Sequence, residues 1–140
     1  ITKITLEPCD VLKITCTISY GASPLDSQYF SETISPDFFA SQIAPARTFC
    51  LYKELEQLIA MGLVKGGSLD NAAVIHNGAI ICKEELRFQN ELVRHKVLDI
   101  IGDLFLTGQR VKAHVIAVKP GHPTNVILAK KMLEQKGALK

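Results

Sequence analysis

Residues 90–107 read Asn90-Glu91-Leu92-Val93-Arg94-His95-Lys96-Val97-Leu98-Asp99-Ile100-Ile101-Gly102-Asp103-Leu104-Phe105-Leu106-Thr107. Leu92, Val93, Val97, Leu98, Ile100, Ile101, Leu104 and Phe105 recur at helical spacing and form a stripe broad enough to pack on two sides. Gly108 stops the pattern. A helix this apolar needs a sheet to cover it. Working outward, residues 1–6 and 11–20 alternate as strands, with Ile14, Cys16 and Ile18 on one face and Lys13, Thr15 and Thr17 on the other. Residues 29–34 suit a third strand. Ser35-Pro36-Asp37 opens a short helix with a capping hydroxyl, a proline at the first helical position and an acid in the first turn. The spacing of Leu51, Leu55, Leu58 and Ile59 predicts a helix over 49–61, ended by Gly62. Residues 72–76 and 79–82 flank Asn77-Gly78, a strong hairpin signal. Residues 111–119 read as a strand and 124–136 as a last amphipathic helix with a basic outer face. The order predicts one α+β domain over 1–140, a two-layer sandwich with helices packed on one face of a mixed β-sheet. Residues 50–82, a helix, a Gly-rich turn and a hairpin, form a candidate β-α-β-type insertion.

Composition narrows the function. Sixteen Lys and Arg against fourteen Asp and Glu give a net charge of +2, which offers no electrostatic case for nucleic acid or an anionic membrane. The apolar runs are too short for a transmembrane segment. With six Phe, three Tyr and no Trp, the core must be mostly aliphatic. Cys9, Cys16, Cys50 and Cys82 lack the spacing of a zinc ribbon or a redox pair. Their apolar neighbours suggest reduced thiols in a cytoplasmic protein. The first residue is Ile1, no charged-then-apolar signal segment follows it, and the chain is expected to be part of something longer.

His95 and Asp99 are four apart, so they share a helix face with Cβ atoms about 5–6 Å apart. Asp103 continues the row. An imidazole and a carboxylate at this spacing can hold a divalent metal, and the same pattern also suits a solvated helix face. Because this helix is the most apolar in the chain, unpaired carboxylates on it would be costly. His122, in Lys119-Pro120-Gly121-His122-Pro123, sits between Gly and Pro at a strand-to-helix loop, where catalytic groups collect. His76, beside the Asn77-Gly78 turn, reads as exposed. His114, alternating in a strand, reads as solvent-facing or internally satisfied. Gly66-Gly67-Ser68 lacks the ending of a phosphate loop and reads as a tight turn.

In order along the chain come Ala46-Arg47-Thr48-Phe49, then Gly66-Gly67-Ser68-Leu69-Asp70-Asn71-Ala72, then Leu86-Arg87-Phe88, then residues 91–104, then Gly121-His122. Together they resemble the C-terminal domain of the LpxC family, the UDP-3-O-acyl-N-acetylglucosamine deacetylases of lipid A biosynthesis. The resemblance implies two α+β domains with a catalytic Zn2+ between them, and hydrolysis of the N-acetyl group of a UDP-linked, acylated glucosamine. By position, His95 and Asp99 resemble two of three protein zinc ligands. Asp103 resembles the carboxylate that orients and charges the catalytic histidine, His122. Thr48 matches a donor to the developing oxyanion. Lys96, Lys119, Phe49, Gly67 and Ser68 fall on the substrate side, Lys119 near the diphosphate, and Tyr20 near the nucleoside. The 50–82 insertion would form the acyl-chain passage, lined by Leu51, Leu55, Val64 and Val74.

The implied mechanism follows from these roles. Zinc held there would bring its bound water towards a pKa of about 7 and would polarise the acetyl carbonyl. Thr48 and a cationic His122 stabilise the oxyanion, and His122 protonates the leaving amine. One departure matters. The family's third ligand and its general base are an adjacent Glu-His pair on the N-terminal domain, and no Glu-His pair occurs in this chain. The expectation is therefore a chain that supplies part of an active site, binds zinc weakly and is inert or nearly so without that domain, its partner. The alternative is a non-catalytic binding or structural α+β domain whose His-Asp cluster is a buried polar network. An isolated half is also expected to expose an apolar patch.

Overall fold

The computed structural model of the chain describes residues 1–21, 27–62 and 72–138. Strands β1 (Lys3–Pro8), β2 (Lys13–Ser19), β3 (Ser27–Thr33) and β7 (Ala113–Val118) form a mixed sheet in the order β1-β7-β2-β3. Pairing is antiparallel at β1–β7 and β2–β3 and parallel at β7–β2. The alternation read from the sequence sets its faces. Ile14, Cys16 and Ile18 are wholly buried beneath the stripe of helix α3 (Glu91–Phe105), against Leu92, Val97, Ile100 and Leu104. Each of these Ile, Leu and Val side chains contributes about 1.5–3 kcal/mol by leaving water. Helix α4 (His122–Ala138) lies beside α3 and over β1. Both helices cover one face, as expected. On the other face, the Thr15 hydroxyl lies 2.8 Å from both Ser31 Oγ and His114 Nε2, so His114 is a satisfied polar residue.

The last turn of α3 tightens, with the N–H groups of Leu106, Thr107 and Gly108 bonding three residues back, and Gly108 takes φ 66. Ser35 Oγ accepts the Phe38 N–H at 3.1 Å and Pro36 opens α1 (Pro36–Phe38), which runs on into a wider π-helical turn over Phe39–Ile43.

The insertion differs from expectation at its start. Thr48–Leu51 is a strand, β4, and helix α2 begins only at Tyr52, running to Ala60. Phe49 and Leu51 alternate towards the core, and β4 gains a parallel partner in β5 (Ala72–His76). That pairing outweighs the helical spacing of Leu51 with Leu55. Glu54 then caps α2 by accepting the Leu51 N–H at 3.2 Å. Strand β6 (Ala79–Ile81) completes a second sheet, β4-β5-β6, with α2 between its first two strands. The β-α-β form holds, but it begins at Thr48 rather than 50. The hairpin is as read: Asn77 and Gly78 take φ 50 and 74, as a type I′ turn requires. His76 lies against the Tyr52 ring, 4.4 Å between centroids, rather than freely exposed. The last helix starts at His122, two residues before the expected 124. Pro123 favours the first turn, and Thr124 Oγ1 accepts the Gly121 N–H at 3.2 Å.

All four cysteines are free thiols. Burial pushes the Cys16 thiol up to about 12, partly opposed by the Lys96 charge, so it packs as a small apolar group. Among the described residues, no helix is long and apolar enough to cross a membrane.

Candidate active site

With its apolar stripe turned to the sheet, α3 presents His95, Asp99 and Asp103 along the edge facing the start of α4 and the chain before β4. His95 Nδ1 lies 3.0 Å from the Ala46 carbonyl oxygen. A carbonyl only accepts, so Nδ1 carries the hydrogen, and in the neutral ring Nε2 carries the lone pair. That lone pair faces Asp99 Oδ1 at 3.3 Å. His122 Nε2 approaches the same oxygen at 3.8 Å. An imidazole nitrogen and a carboxylate oxygen this close can share either a proton or a cation. The donor types therefore suit a metal as well as a hydrogen bond, with the Ala46 carbonyl fixing the ring as an outer partner. It fits only part of a coordination shell, because no group of three or more ligating side chains occurs among the described residues.

The other oxygen of Asp99 takes a hydrogen bond from Lys96 Nζ at 3.1 Å. The same ammonium lies 5.2 Å from the centre of the Phe49 ring. Phe49 in turn meets Tyr20 edge to face at 5.4 Å. Burial, with the neighbouring Cys16, Glu54 and Asp99, pushes the Tyr20 hydroxyl up to about 12, so it stays a neutral hydrogen-bonding group. Four residues chosen from sequence thus form one continuous wall.

His122 Nδ1 pairs with Asp103 Oδ2 at 2.8 Å. Asp103 is largely buried, whereas the His122 side chain is 66% exposed. The ring is therefore held from behind and open in front. Lys119, just before it, takes φ 48, a conformation non-glycine residues seldom adopt, while its N–H bonds to the Thr17 carbonyl at 2.8 Å. That turn swings the chain from β7 back towards α3. Thr48 is exposed at the head of β4, two residues beyond the Ala46 carbonyl.

The acyl-passage residues divide. Register places Val74 opposite Cys50 and Ile75 opposite Leu51, so Leu51 and Val74 point to opposite faces of the small sheet. Leu51 joins Tyr20, Tyr52, Glu56, Ile75 and His76 around a cleft of about 860 Å³. Leu55 is half-buried on α2 and Val74 is buried. Val64, Gly67 and Ser68 lie outside the described residues.

Three residues escaped sequence reasoning. Asn125 is wholly buried and donates from Nδ2 to Asp103 Oδ2 at 2.9 Å, the oxygen that also holds His122. Its own Oδ1 has no partner, an arrangement that keeps the amide hydrogens on the carboxylate. Glu91 and Arg47 form a buried pair, Nε to Oε1 2.9 Å. Nothing in the sequence separates Glu91 from an ordinary first-turn acid, or Asn125 from a helix-surface amide.

Burial pushes the Glu91 carboxyl up, but the Arg47 side chain, the N–H groups of Arg47 and Arg87 and the Arg47 charge outweigh it, leaving the group below its ordinary 4.5. A carboxyl depressed by folding stabilises the protein above its unfolded pKa, and that contribution is lost as pH falls through the folded value. Urea unfolding is thus expected to show stability flat with respect to this group near neutrality and falling below 4.5, with a shallower acid decline in Glu91→Gln. Equal acid slopes for the two proteins would refute it.

Residues 2–134 match the family LpxC, UDP-3-O-acyl N-acetylglycosamine deacetylase. The chain is 49% identical over 135 residues to the UDP-3-O-acyl-N-acetylglucosamine deacetylase of Chlamydia felis (strain Fe/C-56), covering 96% of this chain and 48% of that protein. It is 44% identical over 133 residues to the protein of the same name from Anaeromyxobacter dehalogenans (strain 2CP-C), covering 95% and 43%. The chain spans about half the length of the curated relatives it matches.

Proposed function

The chain belongs to the LpxC family of UDP-3-O-acyl N-acetylglycosamine deacetylases, and from that premise we propose that it supplies part of the active site of a zinc-dependent deacetylase acting on UDP-3-O-acyl-N-acetylglucosamine. The observation that carries this reading is the convergence of His95 Nε2 and His122 Nε2 on Asp99 Oδ1, at 3.3 and 3.8 Å. His95 and Asp99 would hold the zinc ion, with a third ligand from the other half of the protein. Bound there, zinc supplies an acidified water and a polarised acetyl carbonyl.

The chain's own residues do the rest. His122, anchored through Nδ1 to Asp103, carries a proton at Nε2 towards the oxyanion and then the leaving amine. Thr48 offers a hydroxyl from the head of β4. Lys96 and Lys119 carry positive charge on the substrate side, Lys119 for the diphosphate, and Tyr20 and Phe49 offer ring faces to the nucleotide sugar. Leu55 and Val74 serve the acyl chain. The four free thiols suit a reducing cytosol as the place of reaction.

The partner in this reading is the N-terminal domain that the family resemblance implies. A cleft of about 480 Å³ beside α3, lined by Leu12, Ile34, Phe39, Leu98, Ile101 and Phe105, supports it. Phe105 is 64% exposed there and Leu106, the next residue in the chain, is 72% exposed, more apolar surface than a finished face carries. A Cβ on Gly102 would meet no atom within 4 Å, so nothing among the described residues packs on this part of α3.

The test is metal content. The complete protein should retain about one zinc per chain after gel filtration, and His95→Ala should lose most of it while melting at nearly the same temperature. Zinc retained undiminished by a folded His95→Ala would remove His95 from the ligand set, and a complete protein without metal would remove the reading.

A further inference from the structure

We propose that Glu91 is a positioning residue: its buried carboxylate clamps residues 46–48 onto the helix that carries His95 and Asp99, and so sets the His95 tautomer and the place of Thr48. The inference rests on the site reading above and assigns a role to a residue outside it.

The carboxylate is 1% exposed and accepts four hydrogen bonds. Oε1 takes the Arg47 main-chain N–H and Nε, both at 2.9 Å. Oε2 takes Arg47 Nη2 at 3.1 Å and the Arg87 main-chain N–H at 2.7 Å. A plain buried ion pair gives little net stability, since an apolar pair of similar volume often does as well. Two of these four donors are peptide groups, however, which no apolar side chain could satisfy. Glu91 therefore ties two loops to the first turn of α3.

Three successive residues of one loop are fixed in this way. The Pro45 carbonyl accepts from Arg87 Nη1 at 2.7 Å. The Ala46 carbonyl accepts from His95 Nδ1 at 3.0 Å. The Arg47 N–H is held by Glu91. Thr48 follows directly. Glu91 and His95 lie one helical turn apart on the same helix, so the clamp and the ring it serves share one rigid body. Were residues 46–48 released, the Ala46 carbonyl would leave Nδ1, the ring would populate both tautomers, and Nε2 would present a hydrogen in part of the molecules.

The experiment uses the complete two-domain protein with Glu91→Gln, which keeps the shape but sets amide hydrogens against donors. Nitrogen-15 spectra of the metal-free protein should show one Nδ1–H tautomer at His95 in the wild type and a mixture in the variant. Zinc affinity by chelator competition and kcat should each fall about 10–100-fold, as outer-partner losses do, with KM within about threefold, at a temperature where circular dichroism shows the variant folded. Arg47→Lys leaves the main-chain bonds intact and should keep the single tautomer. A folded Glu91→Gln with wild-type tautomer and zinc affinity would overturn the proposal. So would an Arg47→Lys protein with a mixed tautomer, which decides the matter even if Glu91→Gln does not fold. Absence of deacetylation by the wild type would sink the functional reading instead, leaving the tautomer comparison to judge the clamp.

Discussion

Given zinc and UDP-3-O-acyl-N-acetylglucosamine, this chain alone is expected to release acetate at least about 10⁴-fold more slowly than the complete protein. In the proposed reading His95 Nε2 and Asp99 Oδ1 would supply two donors to the zinc ion, and the described residues add no group of three. An ion with two protein ligands exchanges readily with solvent and gives its water little fixed orientation. A general base alone is worth about 10²–10⁴-fold, and the chain has no Glu-His pair to place one beside the zinc. Acetate release by the purified chain, with and without a separately produced N-terminal half, is the measurement. Recovery on mixing supports division of the site between halves. A rate close to that of the complete protein from the chain by itself would end the proposal.

In the complete protein, Asp103→Asn should lower kcat by about 10²–10⁴-fold with KM nearly unchanged. One oxygen, Asp103 Oδ2, holds both His122 Nδ1 and Asn125 Nδ2, at 2.8 and 2.9 Å. An asparagine can offer that oxygen without the charge, or turn its amide hydrogens towards two donors. The first choice weakens the pairing with a cationic His122, and the second breaks it. Asp103 is largely buried behind the His122 ring, so the loss is expected in the turnover step. Steady-state kinetics beside a thermal melt distinguishes this from misfolding. A folded variant with a wild-type kcat would exclude Asp103 as the group that orients and charges His122.

The four-stranded sheet was legible because its strands alternate and one face is sealed. Ile14, Cys16 and Ile18 could point only one way. Helix α3 was legible because eight apolar residues keep a helical period, and Asn77-Gly78 because few turns suit two positive φ angles. Strand β4 was misread because Phe49 and Leu51 satisfy both periods over so short a run, and its partner lies more than twenty residues away. His95 and Asp99 could be paired by spacing alone, since a helix brings them together whatever it packs against.

Local periodicity thus determined which residues form the sheet, the long helix and the His-Asp row, because those features depend only on neighbours a few positions apart. Tertiary structure decided the rest of the site. The Ala46 carbonyl that orients His95, the Arg47–Glu91 clamp and the meeting of His122, Asp103 and Asn125 join groups 19 to 49 positions apart. Hydrogen bonds across such separations form only once the core has brought α3, α4 and the chain before β4 within about 3 Å, and no residue pattern along one segment carries that information.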